Sequence, residues 1–192
     1  NAFLLPFAWA YCYIRRAHHL EKVERIRMEG LKPPYIMLCN HNSFYDFYTM
    51  LSAIAPCRAI HPAAVDDYIG REHRLRIAGT VPKRKYTADI SLLRVARQAL
   101  KENQIFGIYA EARYSLCGVT EYDAFTDSVG QLVKLMKVPC VVLNCKGHHL
   151  YDPFWGNHMK RDIMGVDAVM TQIYTAEEVE KTVRGDLKSY FR

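Results

Sequence analysis

The sequence predicts a single-domain α/β fold with a largely parallel central sheet flanked by helices, preceded by an N-terminal apolar or amphipathic helical segment. Short apolar runs of strand length alternate with helical patterns along the 192 residues, as in chains that build parallel sheets with crossover helices. Val138–Asn144 is a near-continuous apolar run, which is typical of a strand buried on both faces. No repeat, low-complexity tract or linker divides the chain, so one core is expected.

The N-terminal segment, residues 1–30, is expected to lie at a membrane interface. Asn1–Ile14 is apolar and aromatic but too short to span a bilayer, and Pro6 interrupts it. Two arginines follow, and aromatics followed by cations are typical of an interfacial segment whose cytoplasmic side comes next. The alternative is a helix packed on the domain's own core. Because the first residue is not Met, the chain is expected to be a fragment, and this segment also fits the end of a spanning helix.

Strands are expected where short apolar runs end in turn residues. A His-Pro pair at positions 61 and 62 should end the second of these strands, because Pro restricts the residue before it. Lys146–Lys160 is expected to be a polar and aromatic loop. The predicted strands are Tyr35–Cys39, Cys57–Ile60, Gln104–Tyr109, Val138–Asn144 and Val166–Tyr174.

Helices are expected where apolar residues recur three or four positions apart between a capping residue and a stop signal. Ala17–Glu29 shows this pattern and stops at Gly30. Thr87 should cap a helix whose core face carries Ile90, Leu93, Ala96 and Leu100. The other predictions are Phe44–Ile54, Phe125–Met136, a helix from Ala176 capped by Thr175, and a polar helix or loop over Val65–Ala78.

The composition indicates a globular protein with an anionic partner. Half of the residues are hydrophobic and 24% are charged, which excludes a disordered chain. A net charge of +6 fits nucleic acid, an acidic membrane face or a phosphorylated small molecule, and a solvated basic surface is the alternative. Nucleic acid ranks last among these, because the basic residues are spread and no known binding motif appears.

The six cysteines are expected to be buried or free thiols in a reducing compartment, because none forms a C-x-x-C pair. Cysteine and histidine do not cluster at ligand spacing, so no zinc site is predicted. The adjacent pair His148-His149 does not favour chelation either, because neighbouring side chains point apart on a helix or a strand.

The stretch Asn40–Asp46, with the sequence NHNSFYD, is the first candidate site. His41 would lie just past the carboxyl end of a strand and Asp46 in the first turn of the next helix, where open α/β sheets bind ligands. A neutral imidazole can take a proton from an alcohol near pH 7, with Asp46 holding its other nitrogen. The alternative is structural, because Ser43 and Asp46 match a capping box in which the aspartate only caps its helix.

The second candidate is a run of three cations, Lys83, Arg84 and Lys85, in a loop that follows Gly and Pro. Clustered basic side chains hold a phosphate well, especially if Arg binds it with two hydrogen bonds. A solvated charge run is the alternative.

Glu111 and Arg113 form a third candidate. They follow another strand end, where the Arg can take an anion and the Glu can fix the Arg or a hydroxyl. A surface ion pair of little energetic worth is the alternative there.

Four blocks in order resemble the glycerolipid acyltransferase family of the lysophosphatidate acyltransferase type. NHNSFYD resembles its H-x4-D block, GTVPKRK its Gly-led basic loop, YAEARYS its F-P-E-G-T-R-S block, and KVPCVVL its apolar fourth block. Ala110 and Ala112 stand where the family has Pro and Gly, and Tyr114 stands where it has Arg. Either Arg113, one place earlier, takes over the phosphate contact from a shifted loop, or that contact is altered.

The resemblance implies that residues 31–192 form an acyltransferase domain of phospholipid biosynthesis. It would move a fatty acyl group from a thioester donor, acyl-CoA or acyl carrier protein, to the hydroxyl of a lysophospholipid such as 1-acyl-sn-glycerol 3-phosphate. His41 would be the general base and Asp46 would orient it, with no nucleophilic residue, metal or cofactor required. The protein would associate with an anionic membrane surface on the cytoplasmic face. Lys83, Arg84, Lys85 and Arg113 would bind the acceptor phosphate, and Glu111, Asn40 and Ser43 would support the site.

Two other functions remain open at the level of the sequence. A thioester hydrolase could use the same His–Asp pair with water as the acceptor, although the basic loop argues against it. A basic membrane-binding module would hold anionic lipid without turnover, and it would need Asp46 only as a helix cap.

Overall fold

Within the described part of the chain, seven strands form one sheet in the order β1-β7-β6-β2-β5-β3-β4. The computed structural model describes residues 2–84, 90–111, 114–115, 127–151 and 167–182. The strands are β1 (Lys22–Ile26), β2 (Ile36–Cys39), β3 (Ala59–Ala64), β4 (Thr80–Lys83), β5 (Ile105–Tyr109), β6 (Cys140–Lys146) and β7 (Asp167–Tyr174). The helices are α1 (Leu5–His18), α2 (Tyr45–Ile54), α3 (Val65–Tyr68), α4 (Glu72–Ile77), α5 (Ile90–Lys101), α6 (Asp127–Met136), α7 (His148–Tyr151) and α8 (Ala176–Thr182).

The central strands β6, β2, β5, β3 and β4 run parallel, and β7 is antiparallel to β6. The prediction of a largely parallel sheet is therefore confirmed. The carboxyl ends of the five parallel strands share one edge of the sheet, and the segments that follow β2, β5 and β6 all leave from that edge. Because loops at this edge form the ligand crevice of open α/β sheets, the topology itself selects the region to search for a site.

The two faces of β2 explain why it is central. Ile36 and Leu38 pack into the core on one face, and Met37 and Cys39 pack into a second core on the other face. All four side chains are buried, as a strand covered on both sides by helices requires. Burying each such side chain contributes about 1.5–3 kcal/mol, so the apolar run fixes both the strand and its place. The strand predictions for β5 and β6 hold for the same reason.

The helix predicted over Ala17–Glu29 is wrong. Helix α1 ends at His18, Leu20 takes a left-handed backbone with φ of 52°, and β1 follows. Strand β1 pairs in parallel with β7 and is mostly exposed, as an edge strand is. The charged residues of β1 show no alternating apolar pattern, so the sequence did not indicate a strand. Pairing with the distant strand β7 outweighs the local helical pattern.

The strand predicted to end at His61-Pro62 instead continues to Ala64. From His61 onward it leaves β5 and pairs with β4. The two strands approach closely at Gly79, where φ is 83° and a Cβ atom would lie 2.1 Å from the carbonyl oxygen of Ala59. The basic run Lys83–Lys85 was predicted to lie in a loop, but Lys83 is the last residue of β4.

The remaining differences are local. The predicted loop over Lys146–Lys160 begins with the short helix α7, and Ile90, predicted for the core, is 66% exposed at the start of α5. Thr87 lies outside the described residues. The predicted cap of α8 is confirmed: Thr175 Oγ1 accepts the Glu178 N–H at 3.2 Å, and Glu178 Oε2 accepts the Thr175 N–H at 2.7 Å.

Helix α1 packs one side against α2 and leaves the other side open. Its Tyr11 ring meets Tyr48 edge-on, and Arg16 donates to Ser52 Oγ at 3.0 Å. Among the described helices, none is both long enough and apolar enough to cross a bilayer. The large apolar side chains that it and the turn before it expose are Phe3, Leu4, Phe7, Tyr11, Tyr13 and Ile14.

Candidate active site

Asn40 ties the end of β2 to the neighbouring strand β6. Its side-chain oxygen accepts the Cys145 N–H at 2.8 Å, and its amide donates to the Cys145 carbonyl at 2.9 Å and to Asn144 Oδ1 at 3.1 Å. These bonds fix the peptide that leads into His41. Asn40, which was predicted to support the site, thus anchors the ends of two neighbouring strands to each other.

The Asp46 carboxylate contacts both the His41 ring and the backbone that precedes α2. Its Oδ2 atom lies 3.4 Å from Nδ1 of His41, and the same oxygen accepts the backbone N–H groups of Asn42 and Ser43. One oxygen therefore contacts both the imidazole and the loop backbone that leads into α2. Ser43 in turn accepts the Tyr45 N–H through Oγ at 2.9 Å, which orders the first turn of α2.

The Asp46 carboxylate is fully buried yet charged. Burial alone would raise its pKa, but hydrogen bonds from His148 and His41 lower the pKa of Asp46 to about 2. A carboxylate that accepts several donors stays ionised even away from water. It therefore presents a fixed negative charge to the imidazole at position 41.

The His41 ring lies between two tyrosines. Its centroid is 3.9 Å from that of Tyr109, nearly parallel at 17°, and 3.9 Å from that of Tyr114, tilted at 35°. The imidazole side chain keeps 14% of its surface exposed, so it is neither sealed nor free in solvent. Tyr114, the residue that stands in place of the family's Arg, covers one face of the ring, and Phe44 packs beside it.

Glu111, which follows the neighbouring strand β5, holds the backbone of His41. Its Oε1 atom accepts the His41 N–H at 3.0 Å, and Ser115 N donates to the His41 carbonyl at 2.7 Å. The backbone N–H and the backbone carbonyl of His41 are thus both bound by the segment after β5. Glu111 was predicted to support Arg113, which lies outside the described residues, as does Lys85.

Lys83 and Arg84 lie at the same edge of the sheet as His41 but at a distance. Lys83 is half-buried at the end of β4, and Arg84 is exposed just after it. Strand β4 is separated from β2 by β5 and β3, a span of about 14 Å at the usual strand spacing. A substrate would have to extend along the edge to touch both groups.

His148 is a site residue that the sequence prediction missed. It begins α7 just after β6, it is buried, and its Nδ1 lies 2.6 Å from Asp46 Oδ1. Its Nε2 lies 3.3 Å from Oε1 of Glu21, another buried carboxylate. The rule that placed His41 at a strand end applies equally to the end of β6, and it was the signal available for His148.

The charge on His148 follows from these neighbours. Burial would lower its pKa, but the hydrogen bond to Asp46 and the Glu21 carboxylate beside its other nitrogen outweigh burial, so the pKa of His148 is raised well above its usual value. Burial raises the pKa of the Cys145 thiol to about 11, which leaves the thiol uncharged near neutral pH. His148 is therefore an imidazolium between two carboxylates.

Among the described residues, Asp46, Cys145 and His148 form the one group whose ligand atoms lie close enough to hold a metal ion, all within 4.8 Å. Two ligands of a tetrahedral zinc ion are about 3.4 Å apart, given bond lengths near 2.1 Å. The Oδ1–Nδ1 contact of 2.6 Å is shorter than that and is a hydrogen bond. In this arrangement the pair shares a proton.

The arrangement supplies the parts of general-base catalysis. The Asp46 carboxylate faces Nδ1 of His41, which leaves Nε2 as the nitrogen that can take a proton from a hydroxyl. The tyrosine rings and the bound backbone restrict the imidazole to one orientation.

Comparisons with known proteins agree with this fold and identify a family. The crystal structure of a 1-acyl-sn-glycerophosphate (LPA) acyltransferase, PlsC, from Thermotoga maritima shares the fold, with a TM-score of 0.65 and 18% sequence identity over 99% of this chain and 81% of that chain. No curated protein gives a significant sequence match. A family model described as Acyltransferase matches residues 15–146, more than half of the chain and inclusive of His41, Asp46, Glu111 and Cys145. The chain therefore belongs to the Acyltransferase family.

Proposed function

We propose that this protein transfers a fatty acyl group from a thioester, acyl-CoA or acyl carrier protein, to the hydroxyl of a lysophospholipid such as 1-acyl-sn-glycerol 3-phosphate. The observation that carries the proposal is the contact between His41 Nδ1 and Asp46 Oδ2 at the carboxyl edge of a parallel sheet. Membership of the Acyltransferase family supports the reaction class. The LPA acyltransferase with the same fold suggests the acceptor.

In the proposed reaction, Nε2 of His41 removes the proton from the acceptor hydroxyl. The resulting oxygen nucleophile attacks the thioester carbonyl carbon, and a tetrahedral intermediate forms. Its collapse breaks the carbon–sulfur bond and expels the thiolate, which takes back the proton from the imidazolium. The products are an ester and a free thiol, so no residue is acylated and no metal or cofactor is required. Asp46 stabilises the imidazolium while it exists.

The phosphate of the acceptor is proposed to bind the cations near the far end of the same edge. Lys83, Arg84, Lys85 and Arg113 are the candidates, and Lys83 and Arg84 lie at this edge. The phosphorus and the acceptor hydroxyl oxygen of such a lysolipid are only a few bonds apart, so these long Lys and Arg side chains would have to reach along the edge toward His41. Because Tyr114 stacks on His41, the contact that the family makes with Arg at that position must come from another cation.

Docking on a membrane is proposed for the exposed side of α1. Phe7 and Ile14 are 64% and 65% exposed on a helix whose other side packs on α2. An apolar helix face of this kind suits a membrane interface, which we place on the cytoplasmic side. The lysolipid acceptor and the product would both reside in that membrane.

Product analysis tests the proposal. The protein is incubated with acyl-CoA and a panel of lysophospholipids, and lipids are identified by mass spectrometry. We expect a diacyl product that appears only with lysolipid, in equal amount to the free thiol released. Free fatty acid formed at the same rate without lysolipid would show a thioester hydrolase instead. Vesicle binding with no product of either kind would show a lipid-binding module.

A further inference from the structure

His148 lies behind Asp46, on the side away from His41, where it can act on the reaction without touching substrate. Its imidazole has no exposed surface, and its edge meets the Tyr45 ring at a centroid distance of 5.1 Å. One nitrogen lies 2.6 Å from Asp46 Oδ1, and the other lies 3.3 Å from Glu21 Oε1. The reaction proposed above assigns no task to this buried histidine.

We propose that His148 is a positioning residue, whose imidazole clamps the Asp46 carboxylate against Glu21 so that Oδ2 stays turned toward His41. This inference rests on the proposed function, in which His41 is the general base. It goes beyond that function by assigning a second histidine and a second carboxylate to the site.

The clamp is needed because the two oxygens of Asp46 have different surroundings. Oδ2 accepts the backbone N–H groups of Asn42 and Ser43 and faces His41. Among the described residues, His148 is the hydrogen-bond donor to Oδ1. Without that donor, Oδ1 would be a buried carboxylate oxygen with no partner, and the carboxylate would gain by rotating away from its present orientation.

Glu21 is itself held firmly, so it can serve as the fixed end of the clamp. Its Oε2 accepts from Thr49 Oγ1 at 3.0 Å, and Arg16 Nε lies 3.5 Å from the same oxygen. Thr49 lies one turn after Asp46 on α2, and Arg16 comes from α1. His148 therefore joins the end of β6 to both helices at the point where α2 presents Asp46.

The charges around His148 balance. Asp46 and Glu21 are the two negative groups, and His148 and Arg16 are the two positive ones. Cys145 on β6 is an uncharged thiol near neutral pH. Two further histidines face the cluster, His19 after α1 and His149 on α7, and burial lowers the pKa of both, so both are neutral near pH 7.

This balance has a consequence for the proton at His41. The imidazolium of His148 offsets part of the negative charge that Asp46 presents to His41. A neutral residue at position 148 would leave that charge less compensated and would favour the protonated form of His41. Because the proposed base acts only when deprotonated, the acidic limb of the pH–rate profile should then move to higher pH.

Two substitutions at position 148 separate orientation from charge, with a substitution of the adjacent histidine as the matched control. The variant His148→Asn keeps an N–H donor near the place of Nδ1 but removes the positive charge. The variant His148→Phe removes both. His149→Asn makes the same chemical change one position along, where the side chain has no hydrogen bond to the Asp46 carboxylate among the described residues.

The steady-state rate of acyl transfer is measured from pH 5 to 9 for all three variants. We expect His148→Asn to keep kcat at its optimum within about threefold, with the acidic limb moved up by about one pH unit. We expect His148→Phe to lose about ten- to a hundredfold in kcat with both KM values unchanged. His149→Asn should match the parent. If His148→Phe does not fold, the profile of His148→Asn decides.

A profile of His148→Asn that superimposes on the parent's would overturn the inference. So would a loss of rate shared by His149→Asn, because that would mark a general structural effect. NMR titration of the His41 ring, in the parent and in His148→Asn, gives a reading that needs no turnover. If the midpoint of His41 is raised in His148→Asn but the parent has no transferase activity, the proposed reaction is refuted and the inference about His148 stands. If the parent is active and the midpoint of His41 is the same in the parent and in His148→Asn, only the inference about His148 is refuted.

Discussion

Glu111 accepts the backbone N–H of His41 at 3.0 Å, although the two residues are 70 positions apart in the chain. The bond joins the segments that follow β2 and β5, which are neighbours in the sheet. Glu111 is buried, so the carboxylate is committed to this contact and its surroundings and is not a surface charge. The position of the His41 imidazole therefore depends on Glu111, which the sequence suggested as a support for Arg113.

Replacing Glu111 should affect the site through the hydrogen bond it accepts. Glu111→Gln keeps an oxygen acceptor and should hold the rate of acyl transfer within about threefold. Glu111→Ala leaves a part-buried N–H without this partner, which costs up to about 1–3 kcal/mol in the free energy of unfolding, and it should lower kcat about tenfold or more. Denaturant unfolding and steady-state kinetics on both variants check this. Equal losses in the two variants would mean that the negative charge matters and the acceptor does not.

The stability of the protein should fall in mild acid because of His61. This residue on β3 is buried, neither ring nitrogen has a hydrogen-bond partner among the described residues, and burial lowers its pKa to about 3. Below about pH 6.5 the unfolded chain binds a proton that the folded chain does not, so stability drops by up to about 1.4 kcal/mol per pH unit until the folded pKa is reached.

The variant His61→Leu removes that proton uptake. Between pH 7.5 and pH 5, we expect it to lose about 2 kcal/mol less unfolding free energy than the parent does. Urea unfolding at the two pH values measures the difference. His73→Leu, on the exposed surface of α4, is the matched control and should behave as the parent. A parent whose stability is flat over this range would show that His61 does not stay neutral in the fold.

The exposed face of α1 should carry membrane binding. We expect the double variant Phe7→Ser/Ile14→Ser to bind vesicles containing anionic phospholipid at least about tenfold more weakly, because it removes apolar surface that would enter the interface. Sedimentation with liposomes measures binding. Leu135→Ser removes an exposed leucine from α6 and should bind as the parent does. Unchanged binding in the double variant would show that α1 does not face the lipid.

Arg113 is expected to bind the phosphate of the acceptor. The variant Arg113→Ala should raise KM for a phosphorylated lysolipid about tenfold and leave KM for the acyl donor nearly unchanged, since one charge-assisted hydrogen bond pair is lost. Arg58→Ala, at the opposite edge of the sheet before β3, controls for loss of positive charge. A similar rise in both KM values for Arg113→Ala would remove this assignment.

The sequence was informative where apolar burial alone decides the structure. The runs that became β2 and β6 are apolar on both faces, so no partner needed to be known to predict them. The same runs placed His41 after a strand and Asp46 in the next helix, which was enough to propose their contact. The capping interpretation and the catalytic interpretation looked exclusive in the sequence, but one oxygen of Asp46 contacts both the Ser43 N–H and the His41 ring.

The parts that the sequence did not predict depend on distant pairing. Strand β1 is short and charged, and its partner β7 begins at Asp167, so a local pattern could not reveal it. His148 meets Asp46 across 102 positions of the chain, and adjacent histidines gave no reason to separate it from His149. The stacking of Tyr109 and Tyr114 on His41 likewise arises only when β5 lies beside β2.

The most direct measurement is the initial rate of phosphatidate formation from acyl-CoA and 1-acyl-sn-glycerol 3-phosphate, compared among the parent, His41→Ala and His73→Ala. Circular dichroism would first establish that all three proteins are folded. We expect His41→Ala to lose at least about a hundredfold in rate while His73→Ala keeps the parent's rate. A folded His41→Ala protein that forms phosphatidate at the parent's rate would contradict it.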